Sequence, residues 1–114
     1  SASIVLVSSA AARLGAPGEY IDYAASKGAL DSLNIGLSKE LAPKNIRVNA
    51  VRPGLIETEI HASGGNPDRA RNLSASVPMG RPGQAEEVAE AILWLASEQS
   101  SYVTGTNVEV TGGR

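Results

Sequence analysis

The chain has 114 residues, a formal net charge of −2 at pH 7, 42% hydrophobic and 19% charged residues, no cysteine and one histidine. That is the profile of one ordinary globular domain with a single core, and it excludes disordered and strongly basic classes. Without cysteine there are no disulfides, no thiol catalysis and no sulfur-ligated zinc, and His61 alone makes a metal site unexpected.

Ile4 to Val7 is an unalternated, mostly β-branched run ended by Ser8 and Ser9, which reads as a parallel strand covered on both faces. A loop with two glycines and a proline, "ARLGAPGEY", follows. From about Asp22 to Leu41 the pattern predicts a helix, with Leu30, Leu33, Leu37 and Leu41 at helical spacing and Pro43 as its stop. Ile46 to Val51 is a second strand, ended by Pro53-Gly54. Residues 57–83 mix short polar pieces with Gly64-Gly65, Pro67, Pro78 and Pro82, the character of a lid or binding loop. Gln84 to Ser97 is helical, with Glu86 and Glu87 in its first turn and Val88, Ile92 and Leu95 on one face. Trp94 is expected in the core and Met79 in the lid. Tyr102 to Gly105 is a turn, "NVEV" a last strand, and Gly112-Gly113 a closing turn.

Strands alternating with helices imply a parallel α/β sheet with crossover connections. Only three strands are present, and the first reads as an interior one that needs a neighbour on each side. The chain is therefore expected to be part of a larger sheet. The opening "SASIVLVSS" has neither the basic region nor the long apolar run of a secretion signal. No stretch approaches the roughly 18 apolar residues of a membrane span. A cytoplasmic protein with neither a nucleic-acid nor a membrane partner is the expectation.

Ligands of open parallel sheets bind beyond the carboxyl ends of the strands. Ser8-Ser9, Pro53-Gly54 and Gly112-Gly113 each follow a strand. Tyr23 and Lys27 lie in the opening turns of the helix leaving that edge, at i and i+4, on one helix face. A free phenol titrates near pH ~10 and is a poor base at neutrality. An adjacent ammonium favours its phenolate by direct attraction, which makes such a pair able to exchange a proton with a carbonyl or alcohol oxygen. Tyr20 has Ala24 four positions on and no cation, so it reads as packing. Ser9 either hydrogen-bonds the reacting oxygen or merely turns the chain after the strand. Asn49, before the strand end, reads as structural. His61 lies far from any acid at triad spacing, and Gly64-Gly65 is either a hinge or ordinary loop.

The Ser…Tyr-x-x-x-Lys arrangement with Tyr23-Ala24-Ala25-Ser26-Lys27, Asn49-Ala50-Val51-Arg52-Pro53-Gly54 and "YVTGTNVEVTGG" resembles the classical short-chain dehydrogenase/reductase family. More narrowly it is similar to the bacterial branch with glucose and ribitol dehydrogenase-like enzymes and acyl-carrier-protein reductases. The likeness runs along essentially the whole chain. It implies the C-terminal half of a doubly wound, Rossmann-type domain over residues 1–114. It also implies an oxidoreductase that moves a hydride between NAD or NADP and a small carbonyl or alcohol substrate. The resemblance makes Tyr23 the acid or base, Lys27 its activator and ribose ligand, and Ser9 the holder of the substrate oxygen. Pro53, Gly54, Ile56 and Thr58 would join Tyr23 and Lys27 in contacting the cofactor. Ser9 lies fourteen residues before Tyr23, one more than the family's usual spacing. Neither G-x-x-x-G-x-G nor G-x-G-x-x-G occurs in the chain, so the Gly-rich pyrophosphate seat and the residue choosing NAD or NADP are absent from it. Family members commonly form tetramers through the counterparts of the 22–41 helix and the last helix and strand. Two rival expectations follow: a non-catalytic fragment serving only assembly, and a chain completed by a separate N-terminal half.

Overall fold

A computed structural model describes residues 2–57 and 74–114. The elements are β1 (Ala2–Val7), a short helix α1 (Ala11–Leu14), the long helix α2 (Ile21–Leu41), β2 (Ile46–Pro53), β3 (Ile56–Glu57), β4 (Gly83–Gln84), α3 (Ala85–Ala96) and β5 (Asn107–Val110). One-turn 3₁₀ segments follow α2 and α3, at Ala42–Lys44 and Glu98–Ser100.

The main sheet has the order β1-β2-β5 and is parallel throughout, with Ala2 opposite Ile46, Val7 opposite Val51, and Pro53 opposite Val110. β2 is central and carries the core: Val48, Asn49, Ala50 and Val51 are all fully buried. Successive side chains of a strand point to opposite faces. Arg47 accordingly reaches Ser97 and Ser100 beyond α3, whereas Arg52 reaches Asp31 on α2. The two helices thus cover opposite faces, the layering expected of a doubly wound α/β sheet. β1 lies at an edge of this sheet, with Ile4 and Val7 more than a third exposed, so the apolar run that reads as interior has no strand on its outer side among the described residues.

Polar groups do much of the stitching. Asn49 donates from Nδ2 to the Val103 carbonyl at 2.9 Å and accepts from the Thr106 amide at 3.0 Å, closing the turn before β5. The buried Arg47 guanidinium donates to Ser100 Oγ and to the carbonyls of Ser97 and Val103. Asn49 is structural, as its place before the strand end implies.

The face that α2 buries is not its leucine stripe. Ala24, Asn34 and Ser38 are buried, while Leu33 is exposed and Leu30, Leu37 and Leu41 are half-covered. Small and amide side chains let the helix approach closely. Asn34 donates to the Thr106 carbonyl at 3.0 Å, and Ser38 sits against Gly105. Trp94 is likewise not a core residue: it is 42% exposed, and its neighbour Leu95 occupies the buried position instead. Val88 and Ile92 share that inward side with Leu95 and are half-buried. α1 replaces part of the expected loop, and β2 runs two residues past Val51.

Of the expected lid at 57–83, residues 58–73, with His61, Gly64-Gly65 and Thr58, lie outside the described residues. The remainder is pinned at both ends. β3 and β4 form a small parallel ladder, Ile56 opposite Gly83. The Met79 amide donates to the Gly112 carbonyl at 3.0 Å, and Val77 is buried beneath the closing glycines. Met79 itself is exposed.

Gly105 has φ +77°, and a Cβ there would stand 2.8 Å from Ser38 Oγ. Gly105→Ala in the full-length protein is expected to cost about 1–3 kcal/mol from left-handed strain and displacement of α2. A urea-unfolding midpoint indistinguishable from wild type would contradict this account of the helix contact.

Candidate active site at the carboxyl edge of the sheet

Because β1, β2 and β5 run the same way, their carboxyl ends meet on one edge. The Ser8 amide donates to the Val51 carbonyl at 2.8 Å, the Ala10 amide to the Pro53 carbonyl at 2.9 Å and the Gly54 amide to the Val110 carbonyl at 2.9 Å. The strand-end segments 8–10 and 53–54 are thereby locked side by side.

The two serines divide the work. Ser8 is buried and donates its hydroxyl to the Lys27 carbonyl at 3.2 Å, fastening α2 to the end of β1. Ser9 is half-buried and accepts the Ala11 amide at 3.1 Å, turning the chain into α1. Both readings of Ser9 therefore remain compatible: one lone pair shapes the turn, and the hydroxyl can still donate to a substrate oxygen.

Tyr23 and Lys27 lie one turn apart on α2. Lys27 Nζ donates to the Val7 carbonyl at 3.0 Å and stands 5.6 Å from the centroid of the Tyr23 ring. This is within cation–π reach. The backbone carbonyl at the end of β1 fixes the ammonium beside the phenol while leaving other N–H protons to donate. Tyr23 is 45% exposed, and Tyr20 packs edge-on against it with ring centroids 6.1 Å apart. Tyr20 is thus a packing residue, and what it packs on is Tyr23.

Pro53 and Gly54 occupy the turn after β2. A Cβ on Gly54 would approach Thr111 Cα to 3.0 Å, a tight contact with the residue that follows β5. At the start of the β3–β4 ladder the Gly83 amide donates to the Leu55 carbonyl. The peptide geometry of a strand then turns the Ile56 amide and carbonyl away from β4, free for another partner. Thr58 lies outside the described residues. The residues that the resemblance assigns to a nicotinamide cofactor are thus fit for one where they are described: an exposed phenol, a lysine with donors to spare, and an outward-turned backbone at Ile56.

The chain matches along residues 1–114 the family model described as enoyl-(acyl carrier protein) reductase. The chain belongs to the short-chain dehydrogenase/reductase family. It is 61% identical over 112 residues to the oxidoreductase YgfF of Escherichia coli, covering 98% of this chain and 45% of that protein. It is 49% identical to the 3-oxoacyl-(acyl-carrier-protein) reductase FabG of Thermotoga maritima, over 97% of this chain and 44% of that protein. A crystal structure of 3-oxoacyl-(acyl-carrier protein) reductase from Brucella melitensis superposes with a TM-score of 0.90 at 42% identity, covering 97% of this chain and 41% of that one. The chain therefore spans less than half the length of these relatives, and its fold is part of a Rossmann-type domain. Among the described residues, no helix is long and apolar enough to cross a membrane.

Near this edge the first-turn acid Glu87 has a partner that its sequence neighbourhood did not indicate, Arg81. Arg81 grips Glu87 with two parallel hydrogen bonds of 2.9 and 3.1 Å, and Glu87 also accepts the Gln84 amide, completing a capping box at the start of α3. They border a cavity of about 40 Å³ lined also by Met79, Gly83, Thr111 and Gly112. The Arg81 guanidinium, then the Gln84 amide, hold the Glu87 carboxyl down to about 2. The sequence signal for the cap was the Gln-x-x-Glu spacing; Arg81 had none, because it reaches α3 across a turn.

Glu87 has an ordinary value of 4.5 when unfolded and about 2 when folded. Its charge therefore stabilises the fold fully above about 4.5, and that contribution is lost as pH falls towards about 2. In thermal unfolding at low salt, Glu87→Gln should fall below wild type above pH 4.5 and approach it near pH 2. Since the group is exposed, added salt should narrow the gap. A difference independent of pH would contradict the assignment.

Proposed function

We propose that the full-length protein containing this chain is an NAD(P)-dependent oxidoreductase acting on a small carbonyl or alcohol substrate, with its proton chemistry at Tyr23. The observation that carries this reading is the Lys27 ammonium, held on the Val7 carbonyl and over the Tyr23 ring, at the sheet edge beside Ser9. The cofactor, when bound, supplies or accepts the hydride. Tyr23 gives its phenolic proton to the carbonyl oxygen in reduction and takes it back from the alcohol in oxidation. Lys27 stabilises the negative charge left on the phenol oxygen and offers its remaining N–H groups to the cofactor ribose. Ser9 donates its hydroxyl to the substrate oxygen and fixes its direction. Pro53, Gly54 and the backbone of Ile56, with Thr58, would hold the nicotinamide end. The names of the relatives support an oxidoreductase and favour an acyl-carrier-bound or sugar carbonyl among substrates.

The outward sides of the helices, with Leu33 and Ile35 on α2 and Leu93 and Trp94 on α3, leave apolar surface uncovered, which supports assembly of several copies. Assembly and catalysis are compatible; a fragment that only assembles would bind no cofactor. Protection of the full-length protein from heat by NADH or NADPH separates the two.

Tyr23→Phe should lower turnover by roughly 10²–10⁴-fold, the usual worth of a positioned acid or base. Cofactor affinity, followed by NAD(P)H fluorescence, should change little. Turnover that survives the substitution would remove Tyr23 from the chemistry.

A further inference from the structure

Asp31 lies one turn beyond Lys27 on the same side of α2. It is mostly buried, with its side chain 15% exposed, and its Oδ1 has no hydrogen-bond partner. A buried carboxylate with an open lone pair attracts the nearest cation strongly. Lys27 at i−4 is within reach of it, yet Lys27 is bonded to the Val7 carbonyl instead.

Arg52 explains the difference. Its Nη2 and Nε both donate to Asp31 Oδ2, at 2.9 and 3.3 Å, and its Nη1 donates to Glu109 at 2.7 Å. Glu109 also pairs with Arg13 at 3.6 Å, and Arg13 bonds the carbonyl of Arg114. The chain Asp31–Arg52–Glu109–Arg13 is charge-balanced, two carboxylates against two guanidiniums. It crosses from α2 through β2 and β5 to α1, the helix that follows Ser9. Arg52 also immediately precedes the Pro53-Gly54 turn.

We infer that Arg52 is a positioning residue: by occupying Asp31 it keeps Lys27 free to stand over Tyr23. This rests on the function proposed above. Lysine and arginine are unequal in the role, because only the planar guanidinium spans both carboxylates at once. When Arg52 is lost, Asp31 becomes an unpaired, mostly buried charge whose closest remedy is the Lys27 ammonium. Lys27 would then swing down its own helix, away from the phenol. The effect differs from simple loss of a structural ion pair, because removing the second partner should repair it.

The test uses the full-length protein with Arg52→Ala, and with Arg52→Met, which keeps most of the unbranched aliphatic stem without charge or donor, should the alanine variant fail to fold. A crystal structure of either variant should show Lys27 Nζ moved from the Val7 carbonyl to Asp31. Carbonyl reduction should fall about 10–100-fold in kcat, the scale of a misplaced catalytic group, with substrate KM little altered. Adding Asp31→Asn to either variant should return Lys27 to Val7 and recover most of the lost turnover. Lys27 remaining on Val7 in the single variant, or no recovery in the double variant, would overturn the inference. Failure of the functional reading looks different: wild-type protein would show no turnover with either cofactor, while the position of Lys27 in the crystal structures would still decide the role of Arg52.

Discussion

β2 is hydrogen-bonded along both edges in the parallel sense, and nearly everything else is placed by that constraint. Parallel pairing allows only one direction for each neighbour, so β1 and β5 must end where β2 ends. The serine pair, the Pro53-Gly54 turn and the last glycines are distant in sequence, but they have no choice about being neighbours. The amide bonds from Ala10 to Pro53 and from Gly54 to Val110 make that neighbourhood rigid. A site built there inherits the stiffness of the sheet rather than the mobility of loops.

Around this strand the protein spends polar groups where larger domains spend bulk. There is no phenylalanine, and the largest fully buried side chains include Asn34 and Asn49 beside Leu95, Val48 and Val51. Each asparagine amide replaces part of a backbone ladder by tying a strand or helix to the 103–106 turn. Such contacts have directional geometry, whereas leucine packing tolerates sliding. Arg47 is the extreme case, a buried guanidinium whose two Nη groups donate to carbonyls and a serine hydroxyl without a carboxylate, while its Nε has no partner. A buried donor left unmade costs about 1–3 kcal/mol, so these side chains select one arrangement of the turn as much as they stabilise it.

The same logic extends to charge. Lys27 is held by a carbonyl dipole, not by a carboxylate, and so keeps its full positive field for the phenol and for whatever lies beyond it. Three acidic side chains are engaged by arginines: Asp31 and Glu109 by Arg52, and Glu87 by Arg81. The hydrogen bond to Glu109, and after it the pairing with Asp31, raises the Arg52 guanidinium above its usual range against the opposing effect of burial. The exposed Arg81–Glu87 pair serves the helix start rather than the core.

Periodicity and punctuation by themselves determined the order of the main strands and the two long helices, the parallel α/β class, and the extent of α2 and the last strand to within a residue or two, but not α1, β3 or β4. They also marked out Tyr23 and Lys27, since a helical i, i+4 pair is a local fact that needs no tertiary partner. What depended on the third dimension was anything decided by a neighbour remote in sequence. The leucines of α2 have the right spacing to be a core face, but the close contact with Gly105 and Thr106 favours Ala24, Asn34 and Ser38, and Leu33 faces outward. Ser8 and Ser9 are alike until Ser8 is seen bonded to the Lys27 carbonyl. The Asp31–Arg52–Glu109–Arg13 chain joins residues up to 96 positions apart, Arg13 to Glu109, and no window of sequence contains it. Local patterns record which conformation a segment prefers; only packing decides which of its faces, and which of its charges, find one another.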